Sequence, residues 1–367
     1  RATPESPTQT QADTAKASQR DAFGSFFGTF CSQKVQYPPG AKDWIYNVIS
    51  STNKKAMRIG IIIVSYNTCG LLRDCLRSLF RWIEPADPKI RVAVVDNGST
   101  DGSVEMVRGE FPEVVCVEAG ENLGFGRANN LGVKQLEEAY GRAEFLFFLN
   151  PDTVLLNDAV GILADFLERN PPAAAAGGNL YGADGSSPAQ SFSPVHGLRW
   201  ELIALMPNRI KRLVWPPRTW FNYGSEPRQV GYLSGADMLV RRDALGTATA
   251  FDPDFFMYYE DMELCVRLRR AGGGVWSVPA ARIIHLAGQS SRVSRTKFER
   301  LQEAKYLYYT KVHGLCYART AYRLSQTGYR AHAWLGRLTG NRAKYERYAE
   351  WAEINAETWR RHLSKRD

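Results

Sequence analysis

No run of 18 or more apolar residues occurs in this 367-residue chain, so no membrane-spanning helix is expected. No charged-then-apolar leader opens it, and a secretory signal is not expected either. The first residue is Arg1 rather than Met, as in a processed chain or a fragment. The six cysteines (Cys31, Cys69, Cys75, Cys116, Cys265 and Cys316) form no CxxC pair and no Cys/His ligand spacing. Thiolate zinc sites and a disulfide framework are thereby excluded, and the thiols read as reduced and mostly buried, in a cytosolic protein. A GxGxxG fingerprint is also missing. No Gly-rich basic phosphate loop follows the first long apolar run, Ile59–Val64, which argues against a nucleotidyltransferase.

A broad positive field is lacking too. Lys and Arg total 47 and Asp and Glu 38, a formal charge of +9. From Arg295 to Asp367 there are 16 basic and 7 acidic residues, so the preceding 294 residues hold 31 of each sign and are neutral. One basic segment is attached to a balanced body, and no nucleic-acid-binding motif accompanies it. With 44% apolar and 12% aromatic residues the composition is globular.

Three regions follow from the pattern. Residues 1–57 read as an extension: its first 20 are polar and expected to be disordered or weakly ordered, and the aromatics from Phe23 to Ile49 are expected to pack on some other surface. Residues 58–294 alternate apolar strands with amphipathic helices. Strands are expected at Ile59–Val64, Val92–Val95, Val114–Val117 and Phe145–Leu149, with helices between them, including Gly126–Tyr140. That order predicts an open, mostly parallel α/β sheet, which binds ligands beyond the carboxyl ends of its strands. Residues 295–367 form a basic, aromatic helical segment.

The strand ends carry the candidate chemistry. The first ends in Ser65-Tyr66-Asn67 and the second in Asp96-Asn97-Gly98-Ser99. Asp96 is suited to accept a hydrogen bond from a pyrimidine imide N–H; ordinary turn chemistry is the alternative. The third leads to Asn122-Leu123-Gly124-Phe125-Gly126-Arg127, where backbone N–H groups and an arginine suit a phosphate. The fourth ends in Asn150-Pro151-Asp152, a carboxylate suited to Mg²⁺ or Mn²⁺ or, equally, to a helix N-cap. Small residues at Ser234-Gly235-Ala236 allow close approach of a ligand or tight packing. Glu260-Asp261 open a helix after an aromatic stretch. The helix dipole alone favours acids there, but desolvation among aromatics would raise a carboxylate pKa, as suits a general base. His285 ends a further apolar run.

Taken in order, these segments resemble family 2 glycosyltransferases, above all the bacterial rhamnosyltransferase-type branch. The likeness runs over roughly two thirds of the chain, residues 58–292. It implies a GT-A fold, a dTDP- or UDP-sugar donor, a divalent metal (Mg²⁺ or Mn²⁺) and inversion at the anomeric carbon. It assigns Asp96 to the pyrimidine and sets Ser65, Tyr66, Asn67, Asn97, Asn122, Gly124, Arg127, Asn150, Gly235 and Ala236 around the nucleotide sugar. Asp152 and His285 become the metal position; the motif often written DxD is here Asn150-Pro151-Asp152, with one carboxylate. Asp261 becomes the catalytic base with Glu260 beside it, and Arg127 or Arg292 helps the leaving diphosphate.

The implied reaction is transfer of L-rhamnose to a glycan or lipid-linked acceptor in cell-surface polysaccharide assembly. A galactofuranosyl or other hexosyl donor is the nearest rival, and a non-catalytic glycan-binding or scaffold subunit the rival of another class. The expected location is cytoplasmic, peripheral at the inner face of the cell membrane. There Arg and Lys interleaved with Tyr and Trp over 295–367 suit an anionic membrane surface, a helical cap on the catalytic domain being the alternative. The sequence leaves a homo-oligomer open.

Overall fold

The computed structural model describes residues 57–85, 87–206, 208–286 and 294–365. The aromatic stretch at Phe23–Ile49 and Arg292 lie outside them. In chain order the first elements are β1 (Ile59–Ser65), α1 (Cys69–Leu79), β2 (Ile90–Asp96), α2 (Ser103–Glu110), β3 (Val115–Glu118), α3 (Phe125–Tyr140), β4 (Phe145–Leu149), β5 (Thr153–Leu155) and α4 (Ala159–Arg169). Then come β6 (Ala173–Tyr181), β7 (Phe192–Ser193), α5 (Leu198–Leu205), α6 (Asn208–Val214), β8 (Arg228–Gln229), β9 (Tyr232–Leu233) and β10 (Asp237–Arg241). The chain continues through α7 (Glu260–Arg270), β11 (Gly274–His285), α8 (Arg295–His313), α9 (Leu315–Leu338) and α10 (Arg342–Ser364). The four expected strands are found within two residues of their expected bounds.

β1 is buried at every position. Ile59, Ile61 and Ile63 enter a core cluster with Leu72, Leu76 and Leu79 of α1. Ile62 and Val64 enter a second cluster with Val133 and Leu136 of α3. The two-residue period thus divides one apolar run between two helix layers. Gly132 lets α3 lie close to the sheet, since a Cβ there would fall 2.6 Å from Ile62 Cγ2.

The sheet order is β3-β2-β1-β4-β10-β6-β11-β5, with β8 also on β11. From β3 to β4 the strands are parallel, and β10 runs antiparallel between β4 and β6. The sheet is therefore mixed, the half from β3 to β4 being the parallel one. Register brings the candidate residues to one edge: Ser65 lies opposite Asp96, Asp237 opposite Leu149, and His285 opposite Thr153.

The C-terminal helices correct one expectation. Tyr306, Tyr308 and Tyr309 are fully buried and Phe298 and Trp359 nearly so. Phe298 stacks on Trp351 at 4.9 Å, and Tyr322 on Trp359 at 5.0 Å. These five aromatics belong to the core of a helical cap rather than to a bilayer contact; helical spacing marks a face but not what covers it. Among the described residues no helix is long and apolar enough to cross a membrane. Of the five described cysteines, all without a disulfide, Cys75 and Cys265 are buried, Cys69 and Cys116 partly so, and Cys316 is exposed. The expectation of mostly buried thiols holds for two of them.

Candidate active site

Asp96 ends β2 only 4% exposed. Its Oδ2 accepts from the N–H groups of Gly98 (3.2 Å) and Ser99 (2.9 Å). Its Oδ1 is buried and has no hydrogen-bond partner among the described residues. A buried carboxylate oxygen without a donor costs free energy until one reaches it, and a pyrimidine imide N–H is such a donor. Around it the turn is tightly tied. Asn67, at φ 53°, accepts from the N–H of Thr100 at 2.9 Å, and its own N–H donates to Ser99 Oγ at 2.9 Å. Ser65 is buried against Thr68 Oγ1 at 2.9 Å, while Tyr66 is half exposed.

Asn97 and Asn122 serve the loop rather than project from it. Asn97 Nδ2 donates to Asn122 Oδ1 (3.1 Å) and to the carbonyl of Gly124 (3.2 Å), while its Oδ1 accepts from Leu123 N–H (2.9 Å). Gly124, at φ +81°, is required: a Cβ there would stand 2.1 Å from the carbonyl oxygen of Phe256. Phe125 N–H donates to that same oxygen at 2.8 Å. Asn130 exchanges two hydrogen bonds with the backbone of Phe251, at 2.7 and 3.0 Å. Arg127 Nε donates to the Pro253 carbonyl at 2.6 Å, so this arginine anchors the loop ahead of α7. The nucleotide-side turn is thereby fastened to the segment that leads to the candidate base.

Asn150, Asp152 and His285 meet, although 135 residues separate the first from the last, because β5 pairs with β11. His285 Nε2 lies 3.4 Å from Asp152 Oδ1 and 3.4 Å from Asn150 Nδ2. Both the imidazole and the carboxylate are partly buried, 14% and 22% exposed. Among the described residues no three His, Cys, Asp or Glu side chains converge as a metal cage. One carboxylate and one imidazole fit Mg²⁺ or Mn²⁺ only when phosphate oxygens and water complete the shell, as is usual for ions held beside a nucleotide.

Asp261 lies in the first turn of α7, and the approach to it is strained. Tyr258 and Tyr259 both occupy the left-handed region, at φ 72° and 66°. Two successive bulky residues there persist only when their surroundings over-determine them. Tyr259 is buried, its ring 5.4 Å from Tyr308 and 5.9 Å from His196. Asp261 Oδ2 accepts from Gly235 N–H at 3.1 Å and Oδ1 from Met262 N–H at 2.7 Å. Burial lifts its carboxyl above the ordinary range, against the pull of those N–H groups. Burial and then the Asp261 charge lift Glu260 as well. Neither has an ion-pair partner among the described residues. Gly235 therefore touches the base, while the carbonyl of Ala236 accepts from Asn150 N–H at 2.9 Å.

Sequence reasoning missed several contributors. Asp101 accepts from Cys69 N–H at 2.8 Å and from Ser103, joining the starts of α1 and α2. Asp237 is fully buried, holds Gly178 N–H at 2.6 Å and has its carboxyl pushed well up by burial. His196, stacked on Trp200 at 4.3 Å, has its imidazole lowered to about 4, by burial first. The Asp-Gly-Ser run at 101–103 is an N-cap signal; Asp237 and His196 carry no local signal at all.

Residues 60–246, half of the chain, match glycosyl transferase family 2. An N-acetylglucosaminyl-diphospho-decaprenol L-rhamnosyltransferase of Mycobacterium tuberculosis is 34% identical over 246 residues, covering 63% of this chain and 76% of that one. The rhamnosyltransferase WbbL of Escherichia coli is 26% identical over 249 residues, covering 63% and 84%. Among solved structures, the mannosyltransferase PcManGT from Pyrobaculum calidifontis in complex with GDP-Man and Mn²⁺ shares 16% identity at a TM-score of 0.49, covering 86% of this chain and 91% of that one. With its helix-flanked α/β sheet and the family match over the nucleotide-side strands, the chain belongs to glycosyl transferase family 2 and is a glycosyltransferase.

Proposed function

We propose that the protein transfers L-rhamnose from dTDP-L-rhamnose to a hydroxyl of a lipid-linked glycan during assembly of a cell-envelope polysaccharide, with inversion at the anomeric carbon. The observation that carries the reading is Asp261: a carboxylate held by Gly235 N–H, lifted by burial and without a cation partner among the described residues. The rhamnosyltransferase relatives support the sugar, and the decaprenol-diphosphate acceptor named for the M. tuberculosis relative supports the acceptor class.

Asp261 takes the acceptor hydroxyl proton as the oxygen attacks the anomeric carbon. The new C–O bond forms on the face opposite the bond to the diphosphate, whose electron pair leaves with the nucleotide. No enzyme nucleophile is needed, and single displacement inverts the centre. Asp96 Oδ1 orients the pyrimidine, and the Asn97–Asn122 clamp holds the turn that carries it. Asp152 and His285 would hold a divalent ion, which when bound neutralises charge on the leaving diphosphate. The reaction so read belongs at the inner face of the cell membrane, where cytoplasmic nucleotide sugars and a lipid-linked acceptor meet.

A nucleotide-sugar panel with Mn²⁺ or Mg²⁺, read by thermal shift and hydrolysis, tests the donor. dTDP-L-rhamnose is expected to give the largest response. Asp96 would read uracil as well as thymine, so a response confined to a UDP-hexose would transfer the assignment to that sugar, and silence across the panel would end the donor reading. Asp152→Ala is expected to remove the metal-dependent part of donor affinity in calorimetric titration, by roughly tenfold or more, the size of one lost charge-assisted contact. Donor affinity that still rises with metal in the variant would count against Asp152 and His285.

A further inference from the structure

Apolar side chains reach water on three elements that meet at α5. Leu202 on α5 is 48% exposed; Ile210, Leu213 and Val214 on α6 are 46%, 81% and 39% exposed. Trp334, Leu335 and Leu338, in the last turns of α9, are 60%, 41% and 62% exposed. Single exposed leucines are ordinary, but a run of seven on neighbouring elements is not.

The elements are neighbours by direct contact. Gly328 of α9 meets α5 so closely that a Cβ there would fall 1.8 Å from Leu205 Cδ2. One turn on, His332 Nε2 lies 3.1 Å from the Leu205 carbonyl. Leu335 follows His332 by three residues and so continues the same face. α6 starts three residues after Leu205, and Trp215 at its end packs back on Trp200 of α5, ring centroids 4.7 Å apart.

Charge identifies what covers this surface. Among the described side chains, residues 202–225 include Lys211 and Arg218, and residues 327–345 include Arg330, Arg337, Arg342 and Lys344; neither stretch contains an Asp or Glu, and Arg342 pairs with Glu346 just beyond the second. A second copy would set these cations against themselves across a two-fold axis. Exposed aliphatics among an excess of cations suit the headgroup boundary of an anionic bilayer.

We propose that α5, α6 and the last turns of α9 form a docking surface for an anionic lipid bilayer. The aromatic core of the helical cap supports this surface from beneath. The inner end of the same segment, His196, packs 5.9 Å from Tyr259, two residues ahead of Asp261. Docking there would bring a membrane-borne acceptor to the base. That last step rests on the lipid-linked acceptor reading; bilayer binding does not.

The test uses the full chain in sedimentation with phosphatidylglycerol-containing vesicles, with pure phosphatidylcholine vesicles, and at low and high salt. Binding is expected to the anionic vesicles alone and to fall with salt. The exposed double substitution Leu213→Glu with Leu338→Glu is expected to weaken binding at least about tenfold. It should leave the unfolding temperature and the donor-induced thermal shift unchanged, which separates loss of docking from loss of fold or of donor reading. Failure of the parent chain to bind, or equal binding by the double variant, would overturn the proposal. A concentration-dependent dimer abolished by the same substitutions, without vesicle binding, would assign the surface to a second copy instead.

Discussion

Asp261→Asn is expected to lower kcat by roughly 10²–10⁴-fold, the contribution of a positioned general base, while donor binding persists. The amide keeps the shape and one acceptor for the Gly235 and Met262 N–H groups but cannot take a proton. A second readout distinguishes a base from a merely structural carboxylate. Because burial raises the folded-state pKa of Asp261 and Glu260, the folded chain holds protons that the unfolded chain has already released. That stabilisation is full below the ordinary carboxylate range of about pH 4 and is lost as pH climbs toward the raised values. The parent protein should therefore lose stability over that window, and the variant should lose less. Transfer activity of the parent should rise over the same window as the pair ionises. Full activity in Asp261→Asn would remove the residue from the mechanism.

Glu201→Ala is expected to cost about 3–5 kcal/mol of stability, the usual penalty for stripping one partner from a buried ion pair. Glu201 and Lys305 are each 4% exposed. The carboxylate accepts from Lys305 Nζ at 3.3 Å, Ser325 Oγ at 2.5 Å and Tyr309 OH at 2.9 Å, so α5, α8 and α9 converge on it. Lys305 is already pushed down from its ordinary value by burial, against the pull of Glu201. Without Glu201 it is pushed further, and the ammonium must release its proton or stay unpaired. A depressed lysine binds fewer protons folded than unfolded, so the deficit should narrow as pH rises toward about 10, where the unfolded lysine also deprotonates. Denaturant unfolding of Glu201→Ala and of Glu201→Leu with Lys305→Met tests this. The double variant should recover much of the loss, and a single variant as stable as the parent would mean that the pair contributes nothing.

The parallel half of the sheet was readable because its inner strands β1 and β4 are buried on both faces, and continuous apolar runs such as Ile59–Val64 carry that information locally. The edge at which the polar residues gather was readable for the same reason, since chemistry follows the carboxyl ends of such runs. What each polar residue does there was less so. That Asn97 clamps the loop was not legible, because its partners Asn122 and Gly124 lie across a loop whose path no local pattern fixes. Arg127, suited to a phosphate by its place in the sequence, also anchors Pro253 through Nε. Glu201 and Lys305 were invisible: 104 residues apart, they become a pair only when three helices close over them. The meeting of Asp152 with His285 was legible only through the order of motifs, not through spacing.

The two left-handed tyrosines ahead of α7 bear on what warming does to the enzyme. A turn that its own residues disfavour is held by tertiary contacts, those of Tyr259 with Tyr308 and His196 above all. Local free energies of opening vary across a fold, and that of this turn depends on the packing around Tyr259 rather than on the turn's own residues. The base is therefore a property of the assembled molecule and not of the segment that carries it. Loosening of the packing around Tyr259 would displace Asp261 without unfolding the sheet beneath it, so competence and foldedness are separable at the catalytic turn.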